Sequence, residues 1–271
     1  MSTAYRKVIR DLWTHKGRTL LVVLSITVGV AAVGMILASN LLLTRQLTLS
    51  QTSSRPSHVW LWLGGPLDEA TIQALTRLPE IEGAYGVASY GIRWKLAPED
   101  EWRDGTLLAL DDYRAQTYDL ITLQAGTWPE GVRLAIETSQ PPLGIPPLGG
   151  NLYFEVNDRA RPYTAVGIVH DPRQTGPPFT TDPPFYVTRA ALERLVGARA
   201  YTQLRFALPV YSEPAAEAAA DMVIARLKKT GVPAGLIQIV DPARHWAQDM
   251  VDGVGLILTV MAFASLFLSV V

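Results

Sequence analysis

The sequence predicts an α+β extracytoplasmic domain, two strand–helix–strand units flanking an inserted β-rich lobe, set between two transmembrane α-helices. Three observations carry that prediction. Thr19–Thr44 holds 26 consecutive residues without a charge, between Arg18 and Arg45. Gly253–Val271 holds another 19, after the last charge at Asp252. About 20 apolar residues, each rising 1.5 Å, cross a hydrocarbon core of ~30 Å. Between these runs, aromatic and β-branched segments alternate with two capped helical patterns, so that strand–helix–strand recurs at 58–89 and 201–240.

The elements follow in chain order. Within residues 1–18, Tyr5, Val8, Ile9, Leu12 and Trp13 fall on one helical face, while Lys7, Arg10 and Asp11 fall largely elsewhere. Such a helix lies in the membrane interface with Trp13 at headgroup level. The run 19–44 is the first transmembrane helix. Its small residues (Ser25, Thr27, Gly29, Ala31, Ala32, Gly34, Ala38) suit close packing against another membrane helix. A soluble reading would need this helix buried on all sides. A cleaved signal peptide has a short basic start and roughly 7–15 apolar residues, and both lengths are exceeded here, although Ala38 could sit at a cleavage site. Residues 45–57 are polar; their first half can continue the helix as a stalk, and Pro56 ends it.

The domain proper spans 45–252. His58–Leu63 is a strand, broken by Gly64-Gly65-Pro66. Asp68 caps a helix over 68–78, ended by Pro79. Ile81–Leu96 is strand-rich, with Gly83, Gly86 and Gly91 as expected bulges or turns. From about 90 to 200 the second lobe offers strands at Thr106–Leu110 and Val132–Glu137 and an acidic turn at Glu99–Glu101. The stretch Asp111–Trp128 is less regular, and Pro141–Gly150 cannot be regular structure. A hairpin follows, Leu152–Val156 and Tyr163–His170 about the turn Asn157-Asp158-Arg159. Five prolines in 172–184 mark a loop lying over a surface. Phe185–Val187 is a strand and Arg189–Val196 a short helix. Tyr201–Leu208 is a strand, Ser212 caps a helix over Glu213–Lys229 that Gly231 ends, and Leu236–Val240 is a last strand. Residues 253–271 form the second transmembrane helix. The chain ends while still apolar, so a piece of a longer protein is expected.

Charge sets the orientation. Residues 1–18 carry Arg6, Lys7, Arg10, Lys16 and Arg18 against Asp11 alone, a net +4. Of the 24 basic and 25 acidic residues in the whole chain, 19 and 24 remain, a net −5. Basic residues beside a membrane helix mark its cytoplasmic end, so the N-terminus is expected in the cytoplasm and 45–252 outside the cell membrane. The chain has no cysteine, which excludes disulfides and thiol chemistry.

Chemical motifs are sparse, and no catalytic, cofactor-binding or metal site is assigned. No GxxxxGK[ST] and no GxSxG occurs. The four histidines (15, 58, 170, 245) show no metal-ligand spacing. His170-Asp171 could be a ligand pair, although a polar strand end is the simpler reading. Asp68-Glu69 and Asp111-Asp112 read as caps and turns. Basic residues form no stripe, which argues against nucleic acid. Neither apolar run carries an ionisable residue, so no ion pathway through them is supported.

The opening KVIRDLWTHKGRTLLVVLSITVGVAAVGMI resembles that of FtsX/MacB-type ABC transporter permeases, in which an interfacial helix leads through Arg18-Thr19-Leu20 into a membrane helix with Ile26-Thr27-Val28-Gly29. LTRLPEIEGAYGV (75–87) and LGGNLYFEVNDRARPYTAVGIVHDP (148–172) resemble elements of the same family's extracytoplasmic, MacB-like periplasmic core domain. The proline-rich 141–147 and 172–184 depart from it. The resemblance implies a permease subunit without enzyme activity of its own. It implies pairing with a cytoplasmic ATP-binding subunit, a homo- or heterodimer through membrane helices, and contact with membrane lipid. ATP-driven motion would be passed to the outer domain for export or release of a lipoprotein, peptide or drug. The alternative is a membrane-anchored sensor, a chemoreceptor or sensor kinase, whose outer domain binds a ligand. A secreted enzyme behind a signal peptide is a third reading, disfavoured by the missing catalytic set.

Overall fold

A computed structural model describes residues 13–139, 144–174, 176 and 180–270. The interfacial helix expected within residues 1–18 therefore lies almost wholly outside the described residues, as do parts of both proline-rich loops. The chain divides into two compact units, one of residues up to Leu49 with His245–Val271, the other Ser50–Arg244.

The first unit is helical. Helix α1 (Lys16–Ser53) is 38 residues long and unbroken, so it spans about 57 Å. Its polar continuation beyond Thr44 stays helical because nothing before Pro56 removes a backbone donor. Among the described residues it is the one helix whose length and composition suffice to cross a membrane, and none of its apolar window is buried within the protein. Leu20, Leu21, Val28, Met35 and Leu41 all face outward. The C-terminal helix, Gln248–Val270, is apolar from Gly253 onward. The two helices touch through a glycine: a Cβ added at Gly255 would sit 2.1 Å from Asn40 Nδ2. Nearby, Gln248 Nε2 donates to Thr44 Oγ1 at 3.2 Å.

The second unit is α+β, the class the sequence predicts, and it has two lobes. In the first lobe β1 (Val59–Leu67) is followed by α2 (Glu69–Leu75) and β2 (Gly83–Lys95). The second half of the same lobe is β9 (Tyr201–Ala207), α4 (Glu213–Lys229) and β10 (Ala234–Ile239), with α3 (Arg189–Val196) preceding in the chain. The strands lie in the order β10-β1-β9-β2, all antiparallel. Two strand–helix–strand units interleaved in this way form a ferredoxin-like sheet, here split by the insertion. Val59 and Leu61 point into the core, and Trp60 and Trp62 point to the other face, as a period of two requires. Ala216, Ala220, Val223 and Leu227 of α4 bury against that core. Ser212 caps α4 by accepting from Ala215 N, and Gly231 leaves it at φ 81°.

The second lobe is a closed ring. Its further strands are β3 (Arg103–Leu110), β4 (Thr122–Gly126), β5 (Leu134–Glu137), β6 (Asn151–Val156), β7 (Arg159–His170) and β8 (Pro184–Thr188). Pairing runs β2–β3–β8–β5–β7–β6 and back to β2. Closure leaves no free edge in the ring. Trp94, Phe154, Phe185, Leu107, Leu134 and Leu152 fill its interior, and the Trp94 indole finds a partner in Asp104 O at 3.0 Å. Strand β2 serves both lobes: Gly83–Val87 pairs with β9 and Ala88–Trp94 pairs with β3.

Several local expectations are corrected. Gly64–Pro66 does not break β1; the strand continues to Leu67 with a shift in register. Gly83, Gly86 and Gly91 are not turns but lie inside one 13-residue strand. Gly86 is there because the Tyr201 ring lies against it, 2.4 Å from where a Cβ would be. Helix α2 ends at Leu75, short of Leu78. The hairpin turn is Asn157-Asp158 alone, both at positive φ (51° and 58°), so Arg159–Pro162 belongs to β7. The stretch Asp111–Trp128 contains a strand, β4.

Candidate functional site

The chain leaves α1 at Ser53 and enters β1 at Val59 through a short connector. Arg55 sits there at φ 48° and Pro56 follows it, so the helix cannot continue. The connector is held by the loop before β4. Leu120 N donates to Ser54 O at 2.7 Å, and Asp119 N donates to Arg55 O at 2.9 Å. Asp119 itself adopts φ 52°, a conformation that Asp tolerates better than most residues.

The Asp119 carboxylate is buried, accepts three hydrogen bonds and pairs with two arginines. Ser57 N lies 3.0 Å from Oδ1 and Ser57 Oγ 2.5 Å from Oδ2. The Tyr85 hydroxyl of β2 also donates to Oδ2. Arg173 Nη1, from the loop after β7, lies at 3.2 Å, and Arg205 Nη1, from β9, at 3.6 Å. Burial opposes the charge on Asp119, but Arg173, Arg205 and the Ser57 and Tyr85 hydroxyls outweigh it and hold the carboxyl below its ordinary range. Arg205 is oriented in turn by Gln203 Oε1 (2.8 Å) and by the Trp60 ring, 4.0 Å away. Trp60 closes the circle by donating its indole N–H to Ser57 Oγ at 2.7 Å.

The network extends into the ring. Arg173 Nε donates to Asp171 Oδ1 at 2.6 Å. Asp171 Oδ2 accepts from the Tyr186 hydroxyl of β8 at 3.2 Å. Asp171 N donates to Glu137 Oε2 of β5 at 2.9 Å, and His170 Nδ1 lies 3.2 Å from Glu137 Oε1. One buried chain of polar contacts thus joins the connector, the sheet of the first lobe and three strands of the second.

The enclosed cavity is only about 20 Å³, far below the few hundred Å³ of a small-molecule site. The arrangement can position backbone; it has no room for a substrate. A larger cleft of about 470 Å³ is lined by Glu69, Glu82, Asp111, Asp112, Tyr118 and Tyr201 among others. Its carboxylates are already engaged. The Tyr201 hydroxyl lies within hydrogen-bond reach of both Glu69 (2.7 Å) and Asp111, its single proton serving one of them, and Arg189 pairs with Asp111 at 3.1 Å.

The residues singled out in the sequence fall as follows. Asp68 is the N-cap of α2, accepting from Thr71 N at 2.8 Å, and Asp112 Oδ1 accepts from Arg114 N at 2.8 Å. Glu69 and Asp111, distant in sequence, meet on Tyr201. His58 Nδ1 accepts from Leu208 N at 2.9 Å, and His245 Nδ1 accepts from Ala247 N at 3.1 Å. The pair His170-Asp171 belongs to the buried network and not to a ligand set. Among the described residues no group of three or more His, Asp or Glu side chains could hold a metal ion. Sequence reasoning missed Asp119, Arg173 and Arg205. One signal was available: Arg205 stands in the otherwise nonionic strand YTQLRFA, where a charge on a covered face needs a partner.

No protein family and no curated protein matches this chain in sequence. Solved structures are similar to it. The periplasmic region of MacB from Actinobacillus actinomycetemcomitans is 12% identical with a TM-score of 0.46, over 74% of this chain and 92% of that one. The extracellular domain of the noncanonic ABC-type transporter YknZ from Gram-positive bacteria is 12% identical with a TM-score of 0.45, over 68% of this chain and all of that one (100%).

Proposed function

We propose that this chain is the membrane permease subunit of an ABC transporter, passing ATP-driven motion from a cytoplasmic ATPase to an extracytoplasmic domain. One observation of the chain itself carries the reading. A long apolar helix runs without interruption to Ser53, and the connector after it is gripped by a buried ionic network rooted in both β lobes. A ligand-binding anchor has no need of such a grip, whereas a mechanical transmitter does. The resemblance of the opening residues to FtsX/MacB-type permeases supports the same conclusion.

In this reading residues 19–44 and 253–271 span the cell membrane, with residues 1–18 at its cytoplasmic face and 45–252 outside. The subunit works as a homo- or heterodimer through its membrane helices, with membrane lipid around it and a separate ATP-binding subunit beneath. It has no enzyme activity of its own. Lipoproteins, peptides or drugs are the cargo to be exported or released.

The absence of cysteine makes the orientation directly testable. Val210 is 79% exposed, so Val210→Cys should react with a membrane-impermeant maleimide in intact cells. Affinity purification of the tagged chain should bring down a protein with a Walker A motif whose ATPase rate the chain changes. Labelling only after lysis would overturn the orientation, and co-purification of a histidine kinase or methylated signalling protein would make the domain a sensor.

A further inference from the structure

Beyond gripping the connector, the buried network contains an acid whose charge no buried cation among the described residues offsets. Asp119 and Asp171 are balanced by Arg173 and Arg205. Glu137 is a third carboxyl, 2% exposed, on a strand flanked on both sides by other strands of the ring. Among the described residues, His170 at the end of β7 and the Asp171 amide just after it contact the carboxyl, and Asp171 in turn holds Tyr186 of β8 and Arg173 of the loop after β7. Tyr113, behind Tyr186, is neutral, and its hydroxyl lies within hydrogen-bond reach of Val187 O and Leu108 O. Thr138 Oγ1 lies 3.2 Å from Glu137 Oε1. Of the titratable groups among these, the half-exposed His170 imidazole is the one that contacts the carboxyl and also reaches water.

We propose that Glu137 and His170 form a proton-operated latch on the connector. With Glu137 protonated, Arg173 stays shared between Asp171 and Asp119, and the connector is held. Loss of the proton through His170 puts a second carboxylate charge beside Asp171. That charge draws Arg173 toward the Glu137–Asp171 pair and away from Asp119, so the grip on Ser57 loosens. Burial, with the neighbouring Asp171 charge, pushes Glu137 up to about 7, which places the change where extracytoplasmic pH varies. The latch is a property of the chain's own geometry, and it deepens the transmitter reading by giving it a control.

The test is hydrogen exchange of the intact chain in lipid nanodiscs from pH 5 to 8.5, corrected for intrinsic rates. Peptides covering Ser54–Trp60 and Thr117–Thr122 should lose about tenfold in protection as pH rises, with a midpoint near 7. Glu137→Gln, a neutral mimic of the protonated acid, should keep full protection at every pH. His170→Ala, at a half-exposed site that folding tolerates, should move the midpoint upward, because the imidazole favours the ionised carboxyl. Protection that is flat with pH in the parent chain, or a midpoint that His170→Ala leaves in place, overturns the latch. These readouts need no ATPase or cargo, so their failure is separate from failure of the transporter reading.

Discussion

Removing the carboxylate at the centre of the network should be among the most damaging single changes in the domain. In Asp119→Ala the Ser57 amide, the Ser57 hydroxyl and the Tyr85 hydroxyl lose their acceptor in a site without solvent. A buried donor left unpaired costs about 1–3 kcal/mol. Arg173 and Arg205 lose the anion that separates their charges, though Arg173 keeps Asp171 and Arg205 keeps Gln203. Breaking one side of a buried ion pair costs about 3–5 kcal/mol, and because these effects overlap we expect ~4–5 kcal/mol in total. For a domain of ~200 residues each kcal/mol moves the melting temperature by about 2–4 °C, so the transition should fall by at least ~8 °C.

The assay is thermal unfolding of the full chain in detergent, followed by near-ultraviolet circular dichroism, with Asp112→Ala as the control. Asp112 is an exposed turn residue and should stay within about 0.5 kcal/mol of the parent. Hydrogen exchange should localise the damage to Ser54–Trp60. If Asp119→Ala melts within about 2 °C of the parent chain, the carboxylate is not the keystone described here, and the grip on the connector comes from the backbone bonds alone.

Other consequences follow from the same structure. Stability should peak at mildly acidic pH. Asp119 is held below its ordinary range, so its contribution is present above about pH 4 and is lost as pH falls through its folded value; Glu137 is raised to about 7, so its contribution is full below about 4.5 and is lost by 7, a difference of ~3 kcal/mol, measurable as a melting temperature that falls from pH 5 to 7.5. Gly86→Val should destabilise by about 2 kcal/mol or more in denaturant unfolding, because the Tyr201 ring occupies the space of the new side chain. Gly255→Leu should separate the two apolar helices at Asn40, read as loss of a crosslink between cysteines placed at Thr44 and Gln248, while leaving the β domain's melting unchanged.

Elements decided by local chemistry were legible in the sequence. The apolar length of α1, the caps at Asp68 and Ser212, and the exit of α4 at Gly231 depend on residues within a few positions of one another. Strands with strong alternation, such as Tyr201–Ala207, were legible for the same reason. What stayed hidden depends on partners far away in the chain. Gly86 reads as a bulge until Tyr201, over a hundred residues on, is seen against it. Strand β4 has few β-branched residues and exists because β7 offers it an edge. The network was invisible for a related reason: Ser57, Asp119, Arg173 and Arg205 are each ordinary polar residues in unremarkable neighbourhoods, and only the fold makes them one site.

The two connections between the lobes do different physical work. Strand β2 fixes the register of one lobe against the other, because slipping it by one residue would turn Ala88 and Trp94 out of the ring core. It also reaches the connector, through the Tyr85 hydroxyl that donates to Asp119. Hydrophobic packing could have held that connector at lower desolvation cost, since buried ion pairs seldom outdo well-packed apolar groups in net stability. Apolar contacts are non-directional, however, and would tolerate small displacements of Ser57. The three hydrogen bonds to Asp119 do not, because each weakens within a few tenths of an ångström and a few tens of degrees. A directional grip of this kind is what the transmitter reading proposed above requires. It is also the kind of contact that a single added charge at Glu137 can alter.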